Sequence, residues 1–343
     1  MSAETSTWLN TNTLIGFTEK RGNAWHYRAE EQGAKSNHYI GAIPVEDVRE
    51  RLFHWTAVEG DLTTSYVNDE GVTTLHAADW KTVIRPDTGD VLGVFRLGFR
   101  IHDYKEWLIQ NLDFLLHGEL RIGSAGLLRK GAVAWVQVET PDTVTTPEGV
   151  AYRPFVSAAT SLDGSLSSTY QSGAQLIVCD NTLSASLNEA NSSRVKIKHS
   201  ANSIGRLGEV RDALGLIAHV TDTFSEQVAS LCATEVSDKA WAKFLELHVG
   251  VPASDSSARA KTVARNKWDA LRGLYNTDLR VSPWRGTAFG VVQAVNTYEH
   301  HLVKPRNDVK AGERNQLRTI TGKVDALDKG TLDTLRKALV AVA

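Results

Sequence analysis

The sequence predicts an α+β protein: an antiparallel β-meander in the N-terminal half packed against a long helix, followed by a helical C-terminal region. Three observations lead there. Short apolar runs separated by turn residues crowd the first half, as in Ala132-Val-Ala-Trp135-Val-Gln-Val138. From Ser203 onward apolar residues recur at helical spacing instead: Leu207, Val210, Leu214, Ile217, Thr221, Phe224, Val228 and Leu231. Between them, Arg194-Val-Lys-Ile-Lys198 alternates three cations with two apolar residues, so a strand here puts Arg194, Lys196 and Lys198 on one face. The chain accordingly reads as an N-terminal arm over 1–40, an α+β core over 41–235 and a helical region over 236–343.

With 343 residues and 42% hydrophobic content, the chain can bury a sizeable core. A net charge of −2 offers no bulk attraction to nucleic acid or to an anionic membrane. The charge is unevenly spread. Residues 1–186 hold 15 Lys and Arg against 23 Asp and Glu, whereas 187–343 hold 23 against 17. That asymmetry allows an anionic ligand on the second half, although a solvated helical surface often has the same composition. Cys179 and Cys232 sit in apolar settings without metal spacing, which reads as buried free thiols in a reducing cytoplasm. The first residues lack the basic flank and apolar stretch of a signal peptide, and no apolar run approaches the roughly 20 residues that span a bilayer. The expectation is a cytoplasmic protein with no membrane partner.

The elements follow in order. Residues 1–40 are polar and irregular, with Trp25-His26 standing out as a docked segment. Pro44 opens a short helix running to about Trp55. Residues 72–101 read as strands about the turn Pro86-Asp87-Thr88-Gly89. Asp103 and Glu106 form a capping box, opening a helix with Leu108, Leu112 and Leu115 inward. Strands follow at 132–138, after Tyr152 and near 175–179, with Asp163-Gly164 as a hairpin signal. After the basic strand, Ser203 caps a helix to about Ala233, and Ser237 caps the next. A basic helix carries Arg259, Lys261, Arg265, Lys267 and Arg272; further helices are expected over 286–303 and 331–342.

Several chemistries are disfavoured. Neither a Gly-x4-Gly-Lys-Ser/Thr loop nor a Gly-x-Gly-x-x-Gly turn is present, so no nucleotide cofactor is expected. His300 and His301 are adjacent in a helix and point about 100° apart, which is not zinc spacing. Asp87, Asp103 and Lys105 mimic the Pro-Asp…Asp-x-Lys pattern of metal-dependent nucleases, in which two acids hold magnesium beside the scissile phosphate. That pattern needs Asp-x-Lys on a strand, whereas Asp103 reads as a helix cap and Asp87 as a turn residue. Nuclease therefore stands as an alternative, with no metal ligand and no catalytic residue assigned in the main reading. That reading is a polyanion-binding surface. Its cations are Arg129, Lys130, Arg194, Lys196, Lys198 and Arg206, with His199 beside them and Arg259, Lys261, Arg265 and Lys267 on the basic helix. Trp135 and Tyr170 are the candidate base-stacking platforms.

The chain also resembles a known family, the phage- and plasmid-related proteins grouped as domain of unknown function 932. The resemblance rests on Ala24-Trp25-His26, Asp87-Thr-Gly-Asp-Val-Leu-Gly-Val94, Val178-Cys-Asp-Asn-Thr-Leu183 and Lys196-Ile-Lys-His-Ser200. It continues through Thr287-Ala-Phe-Gly290 with Asn296 and Tyr298, and so covers most of the chain. Tyr27-Arg28 and Asp180 depart from the family pattern. The resemblance implies a setting in phage or plasmid replication and recombination inside a bacterial host cell. In outline the order of elements is also similar to the single-strand annealing proteins of the RecT, Redβ and eukaryotic Rad type, a likeness that does not fix function. Together these lead to the expectation of a single-stranded-DNA-binding and annealing protein that works without ATP as a homo-oligomer. A non-enzymatic phage protein that binds a host protein is the further alternative.

Overall fold

The computed structural model describes residues 6–23, 27–116, 120–176, 182–184, 194–200, 202–203, 220–303, 318 and 323–342. Within them the expected architecture is present: antiparallel sheets in the N-terminal half and helices in the C-terminal half. The chain divides into two compact units, one formed by 1–141, 155–172 and 193–217, the other by 142–154, 173–192 and 218–343. In chain order the strands are β1 (Thr13–Ile15), β2 (Val58–Asn68), β3 (Gly71–Arg85), β4 (Asp90–Arg96), β5 (Arg121–Leu128), β6 (Val133–Glu139), β7 (Val144–Thr145), β8 (Ala151–Ser161), β9 (Ser168–Leu176), β10 (Thr182–Ser184) and β11 (Arg194–Ile197).

In the first unit β1, β5, β6, β8 and β9 lie side by side, and β11 pairs with the start of β9. Registers such as Leu14↔Ala125, Gly126↔Trp135, Val136↔Ala158 and Val195↔Tyr170 are antiparallel. β6 is buried along its whole length, which explains why its sequence is an almost unbroken apolar run. Against the sheet pack Val48, Leu52 and Phe53 from the helix Val45–Arg51 and the residues after it, with Trp107, Leu108, Ile109 and Leu112 from the segment that Asp103 caps. Asp103 Oδ1 accepts from the backbone N–H of Lys105 (2.9 Å) and of Glu106 (3.2 Å), the cap expected from the sequence. The segment begins as one turn of π-helix, Lys105–Ile109. The side chain of Leu115 lies outside the described residues.

A second sheet, β2-β3-β4, turns at Pro86–Gly89 as the sequence predicts. β2 was not anticipated. Its Thr- and Ser-rich sequence has no apolar alternation, because both faces of the β2–β3 hairpin meet solvent over most of its length.

Five rings form a column in the first unit. Phe95 stacks on Phe99 (3.8 Å between centroids), Phe99 on His199 (4.8 Å), His199 on His102 (4.0 Å) and His102 on Trp107 (3.6 Å). Hydrogen bonds set the protonation of the two imidazoles. His199 Nδ1 lies 2.9 Å from the Arg100 carbonyl, which can only accept, so Nδ1 carries the proton and Nε2 accepts from Thr160 Oγ1 at 3.3 Å. Thr160 then accepts from Ser168 (2.7 Å), and Ser168 from His102 Nδ1 (2.6 Å). Both rings are neutral in this chain of bonds. Burial lowers His102 from its ordinary 6.5 to about 3, and burial also lowers His199. Because the folded values lie below the unfolded one, the unfolded chain binds more protons. Stability is therefore complete above pH 6.5 and is lost as pH falls from there towards 3. His102 alone approaches about 1.4 kcal/mol per pH unit over that window. Denaturant titrations at pH 7 and pH 5 should show this loss, with His102→Gln flattening it; a variant that kept the wild-type pH slope would acquit the stack.

Among the described residues the second unit is built on the α-helices Val220–Ala233, Asp238–Val249, Ala258–Thr277, Ala288–Thr297 and Lys323–Val342. Every residue of Ala288–Thr297 is buried, which makes it the central helix. Val291, Ala294 and Val295 on it meet Trp241, Phe244 and Leu245, Leu271 and Tyr275, and Leu335 and Ala338 from three of the others. Ser237, Ser257 and Thr287 cap their helices by accepting from the N–H groups of Ala240, Ala260 and Gly290. On Val220–Ala233, Phe224 and Val228 pack with Val150 and Tyr152 at the start of β8, and the Tyr152 and Ser225 hydroxyls bond at 2.8 Å. This is the described end of the long helix expected from Ser203; Leu207, Val210, Leu214 and Ile217 lie outside the described residues.

Candidate nucleic-acid interface

β11 realises the alternation read from its sequence. Ile197 is fully buried in the core and Val195 is packed against it, while Lys196 and the following Lys198 are exposed. Pairing with β9 holds the strand, and neither lysine meets an acidic side chain among the described residues. The side chain of Arg194 and all of Arg206 lie outside the described residues.

The helix Ala258–Thr277 gives a second basic surface. Arg259, Lys261, Arg265 and Arg272 are exposed, and none has an acidic partner among the described residues. At 100° per residue, Lys261, Arg265, Trp268 and Arg272 fall within about 60° of one another and form one row along the helix. Trp268 lies at the border of the buried face, half-buried against the core of the unit and half in the row of cations. A cationic track with an aromatic ring between its charges is what a single nucleic-acid strand requires: charges for phosphates, a π-face for a base. Ser257 fixes where this helix begins, and Leu271, Leu274 and Tyr275 fix which side faces in. Lys267 turns away from the row, its Nζ 5.5 Å from the centre of the Tyr298 ring. Lys261 also donates to the Ser254 carbonyl at 2.6 Å.

Five other sequence candidates are placed differently from the expectation. Trp135 and Tyr170 are 3% and 2% exposed, so neither ring offers a face to a base. Trp135 lies across Gly126 on the neighbouring strand, filling the space that glycine leaves. The Tyr170 hydroxyl donates to the Trp107 carbonyl (2.6 Å) and accepts from Asn111 Nδ2 (2.7 Å), a structural tie. Arg129 binds Asp163 (2.9 Å) and Lys130 binds Asp90 (2.9 Å), which leaves neither cation unpaired for a phosphate. His199 is neutral and committed to the ring column, so it contributes no charge.

The acids of the nuclease alternative are also committed. Asp87 is gripped by Arg85 through Nε (2.8 Å) and Nη2 (2.9 Å), with His54 Nε2 at 3.2 Å, and the Arg85 guanidinium holds its carboxyl below the usual range. Arg85 also covers the Trp55 ring (4.6 Å) and donates to the Lys130 carbonyl (3.0 Å). That carbonyl belongs to a strained turn, in which Arg129, Lys130 and Gly131 have φ of 52°, 58° and 95°. The Tyr104 hydroxyl holds the same turn through the Gly131 carbonyl at 2.7 Å. The whole arrangement clamps the β3–β4 turn to the β5–β6 turn. Asp103 is spent on its helix cap. No group of three or more His, Cys, Asp or Glu among the described residues is placed to hold a metal ion. Cys232 is partly buried and its thiol is pushed up to about 11, which makes it a poor nucleophile at neutral pH. Among the described residues no helix is long and apolar enough to cross a membrane.

Trp268 is the residue that sequence reading missed. The signal was available, since its spacing of i−7, i−3 and i+4 to Lys261, Arg265 and Arg272 places it among the cations on a helix. A family model described as domain of unknown function (DUF932) matches residues 91–321. No curated protein and no solved structure matches the chain.

Proposed function

The chain belongs to the domain of unknown function 932 family, and on that premise we propose a single-stranded-DNA-binding and annealing protein. It acts without ATP, as a homo-oligomer, in phage or plasmid homologous recombination inside a bacterial cell. The observation that carries the reading is the row Lys261–Arg265–Trp268–Arg272, exposed cations without acidic partners among the described residues and with an aromatic ring among them. Lys196 and Lys198 on the first unit add a second set of exposed cations without acidic partners among the described residues. Such a surface holds phosphates in any sequence and leaves base edges free, which is what pairing with a complementary strand needs. No covalent step is involved, so no general base, nucleophile or metal is required. The family assignment supplies neither chemistry nor setting, and the recombination setting is part of the proposal.

The test is a pair of complementary labelled oligonucleotides mixed with the purified protein at low ionic strength, without nucleotide. Pairing faster than the spontaneous rate is expected, with Lys196→Ala/Lys198→Ala slowing it. Protein that neither binds single strands nor accelerates pairing under those conditions would end the proposal.

A further inference from the structure

The β2–β3 hairpin carries a surface of its own. From Thr63 to His76 it is a regular two-stranded ribbon, with Thr64↔Leu75, Tyr66↔Thr73 and Val67↔Val72 in register. No residue between Val58 and Trp80 is buried. Apolar side chains are exposed on both faces: Val67 and Val72 (79% and 73%) on one, Tyr66 and Leu75 (48% and 49%) on the other. A two-stranded ribbon with no core beneath it is marginal in water, so these faces call for a partner. The charge says which kind. Between Val58 and Trp80 the chain has Glu59, Asp61, Asp69, Glu70 and Asp79, and no Lys or Arg. Glu59 is paired with Lys81 at 2.5 Å, and the other four have no cationic partner among the described residues. Such an arm repels nucleic acid and attracts a basic surface with some exposed apolar area.

The same chain carries that complement. The first six residues of the helix Ala258–Thr277 are all exposed, Val263 among them at 60%, and four cations on the helix lack acidic partners among the described residues. We propose that the β2–β3 hairpin docks on the basic helix Ala258–Thr277 of a second copy of this chain, joining protomers head to tail. Asp61, Asp69, Glu70 and Asp79 then face Arg259, Lys261, Arg265 and Arg272, and the exposed valines of the hairpin cover Val263. Passed head to tail from copy to copy, such a contact builds rings or open chains; exchanged reciprocally by two copies, it closes as a two-fold dimer. The inference deepens the homo-oligomer part of the reading above by naming its surfaces. Hairpin and DNA phosphates compete for the same cations, so an assembled protomer first meets DNA through Lys196 and Lys198, which the contact leaves exposed, and DNA on the helix row releases the hairpin only at that helix.

Sedimentation velocity without DNA tests the docking separately from DNA binding. The full chain should sediment as assemblies at low salt and as monomer at high salt. Asp69→Lys/Glu70→Lys and Arg265→Glu/Arg272→Glu should each be monomeric at low salt, because each sets like charges against one another. An equimolar mixture of the two variants should associate again, since the reversed hairpin of one then meets the reversed helix of the other. Monomeric wild type at low salt, single variants that still assemble, or a mixture that stays monomeric would each overturn the proposal. Circular dichroism on both variants shows that they fold; the substituted side chains are all exposed.

Discussion

Gly290→Ala is expected to destabilise the helical unit by about 3 kcal/mol or more, the upper range for overpacking a rigid site. Gly290 stands in the first turn of the central helix, where a Cβ would overlap the Trp284 carbonyl oxygen and lie 2.8 Å from its carbon. Neither side of that contact can yield. The Gly290 N–H donates to the capping Thr287 hydroxyl (3.1 Å), which itself donates to the Trp284 carbonyl (2.7 Å). Moving the helix would instead disturb Phe289, Val291 and Val292, all fully buried. Thermal or denaturant unfolding of the full chain checks this. A variant within about 0.5 kcal/mol of wild type, the range of an ordinary surface change, would mean that the helix start does not pack as described.

Asp87→Ala is expected to cost about 3 kcal/mol, because it strands a buried guanidinium. The Arg85 side chain is 7% exposed, and without Asp87 it keeps, among the described residues, the Lys130 carbonyl, the face of Trp55 and the weaker Coulombic attraction of Asp90. The clamp on the strained Arg129–Gly131 turn would loosen with it. Asp87→Asn, which keeps the shape and one acceptor, should recover part of the loss. The pair of variants separates this account from the nuclease alternative. A catalytic aspartate exchanged for alanine would abolish magnesium-dependent cleavage while leaving stability near wild type, whereas a clamp residue shows the reverse.

Several elements were legible because their signals are local. Pro86-Asp-Thr-Gly89 states its turn, Asp103 and Ser237 state their caps, and the alternation in Arg194–Lys198 states which side chains a strand would bury. β2 was hidden because a ribbon wet on both faces has no apolar period to detect. The destination of Arg129 and Lys130 was hidden because their acids, Asp163 and Asp90, are 34 and 40 residues away in the chain. The ring column joins His102 to His199 across a far longer stretch of chain, and only the fold brings them to 4.0 Å. Trp135 and Tyr170 suggest stacking platforms by residue type alone, and type does not say whether a ring is buried. Trp268 was legible from helical spacing, since it follows Arg265 by three residues and precedes Arg272 by four.

The most direct measurement is the salt dependence of oligothymidylate binding by the wild-type protein, by Arg265→Ala/Arg272→Ala and by Trp268→Ala. Single strands release roughly 0.7 counterion per phosphate contact, so the double arginine variant should show a log–log slope shallower by about 1.4. Trp268→Ala should instead weaken binding by about 1–3 kcal/mol at every salt concentration with the slope unchanged, since stacking carries no counterion release. That division, slope to the arginines and intercept to the tryptophan, is the result the account predicts. Binding that is absent at low salt, or that all three proteins share with one slope and one affinity, would contradict it.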